Sequence, residues 1–256
     1  MKFDCNIHIG NKPNIEEDKK FILNNNLLSH EYNLLQTDGF SFGNIMMMNP
    51  DSIIEIDAKC LKKFNKIFTY TLTINPDNLN SIENIKKAIG MGIYNFKFHP
   101  YFFSITKEKY KNVAKISKFI SENKCIISVC CSYGSKLFYK VKPMEVLNVV
   151  LENTNSKVVA LHMGGAKPLD LLVLSMEYDN LYTETSFSIP FWLGSNVEKD
   201  YIFLVKKIGP EKILFGSDKP YVNRLESVSK VKNFLSKKCK FNFESIDKIF
   251  QQKVFL

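Results

Sequence analysis

Short apolar runs alternate with longer amphipathic segments eight times along the 256 residues of this chain, and that alternation restricts it to folds built on a parallel sheet covered by helices. The strand-like runs are 3–9, 43–48, 67–74, 93–98, 126–131, 157–162, 181–186 and 213–217. Helix-like segments follow them at 15–36, 57–65, 79–90, 106–123, 143–153, 167–178, 196–208 and 223–237. The fourth of these carries Ile105, Tyr110, Val113, Ile116, Phe119 and Ile120 at helical spacing, with lysines on the opposite face. Pro143 and Pro168 stand near helix starts, where a missing N–H is no loss. Eight βα units in a chain of this length predict a single, distorted (β/α)8 barrel, a fold of about 250 residues. A doubly wound open sheet is the alternative with the same alternation. No Pro/Ser-rich linker, repeat or low-complexity block divides the chain, so residues 1–256 make one domain, with the segment 241–256 as a last helix packing on the barrel.

The net charge of +9 raises the question of a nucleic-acid partner. Arg224 is the only arginine, however, and readers of bases and phosphates exploit the arginine fork. The lysines fall mostly on helix-like segments as solvated faces, which argues against nucleic acid and leaves an acidic small molecule compatible with the charge. No apolar run approaches the roughly 20 residues that span a bilayer, and no signal-like segment precedes the first strand, so a soluble, cytoplasmic protein without a membrane partner is expected. The six cysteines form no CxxC pair and read as reduced thiols.

Polar residues cluster at the carboxyl ends of these strands, where parallel α/β folds assemble their active sites. In Asp4-Cys5-Asn6-Ile7-His8, alternation predicts that residues 4, 6 and 8 share one face, and three polar side chains there suit a polar cavity. His162 ends VVALH and is followed by Met163, Gly164 and Gly165, a pair of glycines that permits a sharp turn beside a ligand. An imidazole at that place suits an acid/base or a metal ligand. Asp218, after the buried run ILFGS, needs a partner there and suits a base that takes a proton from a metal-bound water. Lys97 and His99 share a face in FKFHP, the lysine as an anion holder, and Glu184 and Trp192 are placed at the same mouth from the seventh strand and its loop.

Taken in order, DCNIH, KFHP, HMGG and FGSDKP resemble the amidohydrolase superfamily, in its branch of metal-dependent hydrolases and decarboxylases. That branch opens with DxHxH on strand one and carries a KxHP-like element on strand four. A histidine follows on strand five, HxGG on strand six and FGSDxP on strand eight. The likeness runs from residue 3 to near residue 235. It implies a barrel holding one divalent metal, usually zinc, on the two strand-one histidines, the strand-five histidine and the strand-eight aspartate. His8 and Asp218 keep their places in that set, and His162 matches the strand-six histidine that assists catalysis. Two positions depart from it. Asn6 stands where the first histidine is expected, and the fifth strand, IISVCCSYGS, has no histidine. Cys130 is the better match for the missing ligand and Cys131 the lesser; thiolate is a good zinc ligand, so His8, Cys130 and Asp218 would make a three-ligand site open to water.

The resemblance implies metal-dependent hydrolysis of an amide, lactone or ester in a small polar or acidic molecule. Asp218 would take the proton from water, His162 would steady the oxyanion or protonate the leaving group, and Lys97 would hold an anionic substituent. Non-oxidative decarboxylation on the same scaffold is the alternative. So is a barrel without its metal, binding a ligand or doing acid/base chemistry with His162, His99 and Asp218. The feature that separates them is which of Cys130 and Cys131 faces the cavity. Aromatic loops at the mouth would also allow a homodimer.

Overall fold

The computed structural model describes residues 1–9, 22–50, 52–132 and 136–256. Its sheet has eight strands in sequence order, β1 (Phe3–His8), β2 (Phe42–Met47), β3 (Phe68–Ile74), β4 (Asn95–Phe98), β5 (Ile126–Cys130), β6 (Val158–Leu161), β7 (Leu181–Glu184) and β8 (Ile213–Leu214). Each is parallel to the next. The last strand returns to the first: Cys5 N–H donates to the Phe215 carbonyl at 3.0 Å, His8 N–H to that of Lys219 at 2.7 Å, and Asp218 N–H to that of Asn6 at 2.9 Å. The sheet is therefore a barrel, and the open-sheet alternative falls away.

Helices Asn25–Thr37, Ala58–Phe64, Ser81–Gly90, Tyr110–Glu122, Pro143–Glu152, Pro168–Glu177, Val197–Ile208 and Arg224–Asn233 follow the eight strands in turn. Of the first helical segment, 15–36, residues 15–21 lie outside the described residues. The abundant asparagines have a structural use as helix caps: the side chains of Asn24, Asn223 and Asn242 accept first-turn N–H groups at 2.8–3.1 Å. No helix among the described residues is long and apolar enough to cross a membrane. The tail forms a shorter helix than expected, Phe243–Gln251. Val254 and Phe255 then pack with Phe3, Cys5, Met46, Val159, Leu161 and Leu214 as a plug in the barrel, where Asn95 Nδ2 donates to the Phe255 carbonyl at 3.3 Å.

Alternation along the strands decides what faces the lumen. Phe96, Phe98, Val129 and Cys131 belong to the same core as Val113 and Ile116 of the surrounding helices. Lys97, Ser128 and Cys130 therefore point inward. Strand β1 breaks the alternation, because its pairing with β2 shifts between Asp4 and Ile7. Asp4 is thereby turned away from Asn6 and His8, which corrects the expectation that all three share one face. Its carboxylate accepts from Ser217 N–H and Oγ at 2.9 and 2.7 Å and pairs with Arg224 Nε at 2.8 Å. The single arginine also holds Glu31 at 2.5 Å through Nη2 and Asp38 at 2.7 Å through Nη1, all in the layer between strands and helices. Glu31 meets Lys219 as well. This clamp lies along the β8–β1 seam.

Candidate active site

Two groups of side chains gather at the carboxyl ends of the strands. In the first, His8 Nε2 lies 3.5 Å from Asp218 Oδ1, and the His8 ring meets Tyr221 edge-on at 5.3 Å. Asp218 leaves β8 with φ 59°, and its carbonyl accepts from Tyr221 N–H at 2.8 Å. His162 leaves β6 in the same left-handed region, φ 66°. Such backbone is uphill by about 1 kcal/mol or more for a residue with a Cβ and is held only where neighbours over-determine it. Both strained residues carry candidate chemistry and stand at one end of the barrel.

The second group is built around His162. Its Nδ1 lies 3.0 Å from Ser186 Oγ, 3.3 Å from the Ser186 carbonyl and 3.5 Å from Glu184 Oε1. A carbonyl can only accept, so Nδ1 carries a proton and donates. Glu184, fully buried, receives the His162 backbone N–H at 2.7 Å and the Ser186 Oγ–H at 2.7 Å on one oxygen, and Ser186 N–H at 2.5 Å on the other. Asn6 Nδ2 donates to Ser186 Oγ at 2.9 Å and reaches Glu184 Oε1 at 3.4 Å. Gly216 completes the packing, because a Cβ there would come within 2.5 Å of Glu184 Oε2 and 3.0 Å of the Asn6 Cβ.

Strand register sets Cys130 beside the ends of β4 and β6 that lead into His99 and His162, and both imidazoles act electrostatically on its thiol. Ser132 Oγ lies 3.2 Å from the same sulfur. His99 Nδ1 accepts the Phe102 N–H at 3.3 Å, so its proton sits on the other nitrogen. One layer deeper in the lumen lies Lys97, in register with Thr73 and Ser128. It is 1% exposed, and among the described residues its Nζ reaches Met48 Sδ at 3.7 Å and no carboxylate. Trp192 ends a short helix, Ser188–Trp192, and its ring lies edge-on to Phe191. Phe191 stacks on Phe187, whose ring meets that of His162 at 6.1 Å.

Burial alone would push the Cys130 thiol up, but His99 and His162 outweigh it and hold the thiol well below its usual range. Burial would likewise depress His162. The Cys130 thiolate, then Asp218 and Glu184, raise it to about 10. A raised imidazole stabilises the fold fully below its unfolded value near 6.5 and loses that contribution as pH climbs through about 10. The thermal midpoint should therefore fall more steeply from about pH 8 to about pH 10.5 in the native protein than in His162→Gln. Scanning calorimetry across that range checks it, and parallel curves would remove the ion pair.

The amidohydrolase family model matches residues 59–238. The chain belongs to the amidohydrolase family. The match spans Cys130, His162 and Asp218, while His8 precedes it. Among curated proteins no sequence matches this amidohydrolase. Among solved structures it is similar to a probable 2-pyrone-4,6-dicarboxylic acid hydrolase from Acinetobacter baumannii with citric acid bound (12% identity, TM-score 0.66, 97% of this chain and 98% of that one). It is also similar to 2,6-dihydroxybenzoate decarboxylase from Rhizobium (12%, TM-score 0.65, 99% and 98%). A third is a dihydroxybenzoic acid decarboxylase from a Polaromonas species with bound manganese and 2-nitroresorcinol (10%, TM-score 0.64, 99% and 96%). Likeness at such identities shows the fold.

The donor set of this amidohydrolase does not fit the metal cradle that its resemblance implied. Among the described residues no three His, Cys, Asp or Glu side chains gather as ligands of one ion. His8 and Asp218 are together, while the Cys130 sulfur contacts Ser132 Oγ at 3.2 Å and, among the described residues, makes no hydrogen bond to either. Asn6 spends its amide N–H groups on Ser186 and Glu184, and its Oδ1, buried, has no hydrogen-bond partner. Glu184, placed at the mouth from sequence, has its oxygens occupied by protein donors and acts as a support for His162. Sequence reasoning missed Ser186, Ser132 and Tyr221. A serine two residues beyond a strand glutamate carries no pattern of its own, and only the fold brings it to His162.

Proposed function

We propose that this amidohydrolase hydrolyses an amide, ester or lactone bond in a small acidic molecule. The observation that carries the reading is the mounting of His162 at the carboxyl end of β6, where Nδ1 is fixed by Ser186 and Glu184. An imidazole fixed at one nitrogen by an oriented partner is the arrangement that moves protons in acyl transfer. His162 gives a proton to the departing heteroatom, which otherwise leaves as a strong base. Asp218, beside His8, receives the proton that water loses on entering. Lys97, buried without a carboxylate among the described residues, offers a cation to an acidic substituent, since an unpaired ammonium there is uphill until an anion reaches it.

The test is a panel of lactones, aryl esters and N-acyl amides of small mono- and dicarboxylic acids, with hydroxybenzoates alongside, followed both for acid release and for carbon dioxide. Acid release without carbon dioxide, unchanged by EDTA, is the expected result. Carbon dioxide from the hydroxybenzoates would move the assignment to decarboxylation, and dependence on added zinc or manganese would restore the metal.

A further inference from the structure

We propose that the outer face of the helix after β6, together with the helices on either side of it, is the surface through which two copies of this chain associate about a two-fold axis. That helix, Pro168–Glu177, reads PLDLLVLSME and is apolar nearly all round. Leu171 and Leu172 belong to the barrel's core. Leu169, Val173 and Met176, at i, i+4 and i+7, form a second apolar stripe on the opposite side, 43%, 62% and 77% exposed. A helix on the surface of a barrel ordinarily turns a polar face to water, and one that is apolar on both sides is covered on both sides.

The two flanks of the stripe differ in shape and in charge. On one side stands the helix after β5, Pro143–Glu152, and on the other the helix after β7, Val197–Ile208. The first flank is concave: an open groove of about 610 Å³ is walled by Tyr110, Met144, Asn148, Val149, Val173 and Leu174. The β5 and β6 helices carry Glu145, Glu152, Asp170 and Glu177 and no lysine, in a chain of net charge +9. Lys107 and Lys167, beside them, are held by Glu145 at 3.8 Å and by Asp170 at 3.6 Å. The second flank is basic and aromatic. The β7 helix exposes Lys199, Phe203 and Lys206, again at i, i+4 and i+7, and Lys207 lies over the Phe203 ring at 5.5 Å.

A two-fold axis normal to the surface at Val173 reverses the β6 helix on its copy and exchanges the flanks. Val173 then meets itself, and Leu169 of one chain meets Met176 of the other. Phe203 of each copy is carried over the groove of the other. The acidic flank faces the basic flank twice, with Glu145 and Asp170 toward Lys206 and Lys207, and Glu177 toward Lys199. That complementarity selects the occupant. A face acidic along both edges would call for a basic partner, whereas this one brings its own counter-charge, as an isologous interface must. An apolar centre with a charged rim is also the ordinary make-up of such contacts. The contact lies on the helices and not on the aromatic loops of the mouth, so it stands apart from the hydrolase reading.

Sedimentation equilibrium of the whole native protein from about 1 to about 100 µM should show a species of twice the 29.6 kDa chain. Val173→Lys, which sets two ammonium groups on the axis, should weaken association at least about 100-fold with the circular dichroism unchanged. Lys206→Glu with Lys207→Glu should weaken it too, and adding Glu145→Lys and Asp170→Lys to that pair should restore it. The six native cysteines are buried, so mild oxidation of Val173→Cys should join two chains at that position. A native chain that stays monomeric at about 100 µM overturns the proposal and leaves the face to a partner of another kind. A dimer undisturbed by Val173→Lys forms through a different surface and overturns it equally.

Discussion

Replacing Arg224 by alanine is expected to destabilise the barrel by about 3–5 kcal/mol and to lower its thermal midpoint by on the order of 10 °C. The guanidinium is 2% exposed and serves Asp4, Glu31 and Asp38 at once, through three different nitrogens at 2.5–2.8 Å. Without it Asp4 and Glu31, both buried, keep their carboxylates with too few donors. Ser217 still bonds Asp4 and Lys219 still meets Glu31, so the loss is large and not total. Lysine is a poor substitute, since one ammonium cannot span three carboxylates with the geometry of a planar fork. Urea and thermal unfolding of Arg224→Ala and Arg224→Lys measure this. A midpoint within about 2 °C of the native value in both would show that the carboxylates find other partners or protonate at little cost.

On the proposed reading, His162→Gln should lower kcat/KM by about 10²–10⁴ while leaving the fold intact, the span that a positioned acid/base contributes. Glutamine can still donate to the Ser186 carbonyl, but it cannot hold and release a proton. Ser186→Ala should fall well short of that, because His162 Nδ1 retains the Ser186 carbonyl at 3.3 Å when the hydroxyl is gone. The contrast separates a group that handles the proton from one that positions it. Equal losses in the two variants would mean that His162 acts through its placement alone, and an unchanged rate in His162→Gln would take it out of the chemistry.

Much of this was legible in the chain. The apolar runs mark all eight strands because a barrel strand is buried on both sides, and each run is followed by a helix. His8, His99, His162 and Asp218 stood out in the sequence because a polar residue ending a buried run needs a partner, whereas Cys130 was marked only by the family resemblance. The face of Asp4 was not legible, since a one-residue shift in pairing leaves no trace in composition. The role of Arg224 was hidden for a related reason: its partners lie 186–220 residues away. The setting of the His99 ring depends on the loop after β4, where the Phe102 N–H fixes it, and no periodicity predicts a loop.

The seam between β8 and β1 also bears on how the chain is made. A ribosome-bound chain that has completed β7 has two bare sheet edges, at β1 and β7, and an Asp4 still without a cation. Bare edges invite pairing with other chains. The strand, the serine and the arginine that end this exposure, Ile213 through Arg224, emerge within a dozen residues of one another. Closure of the ring therefore comes as one late event in synthesis, and nascent chains stalled short of Arg224 are the ones that should call most on chaperones.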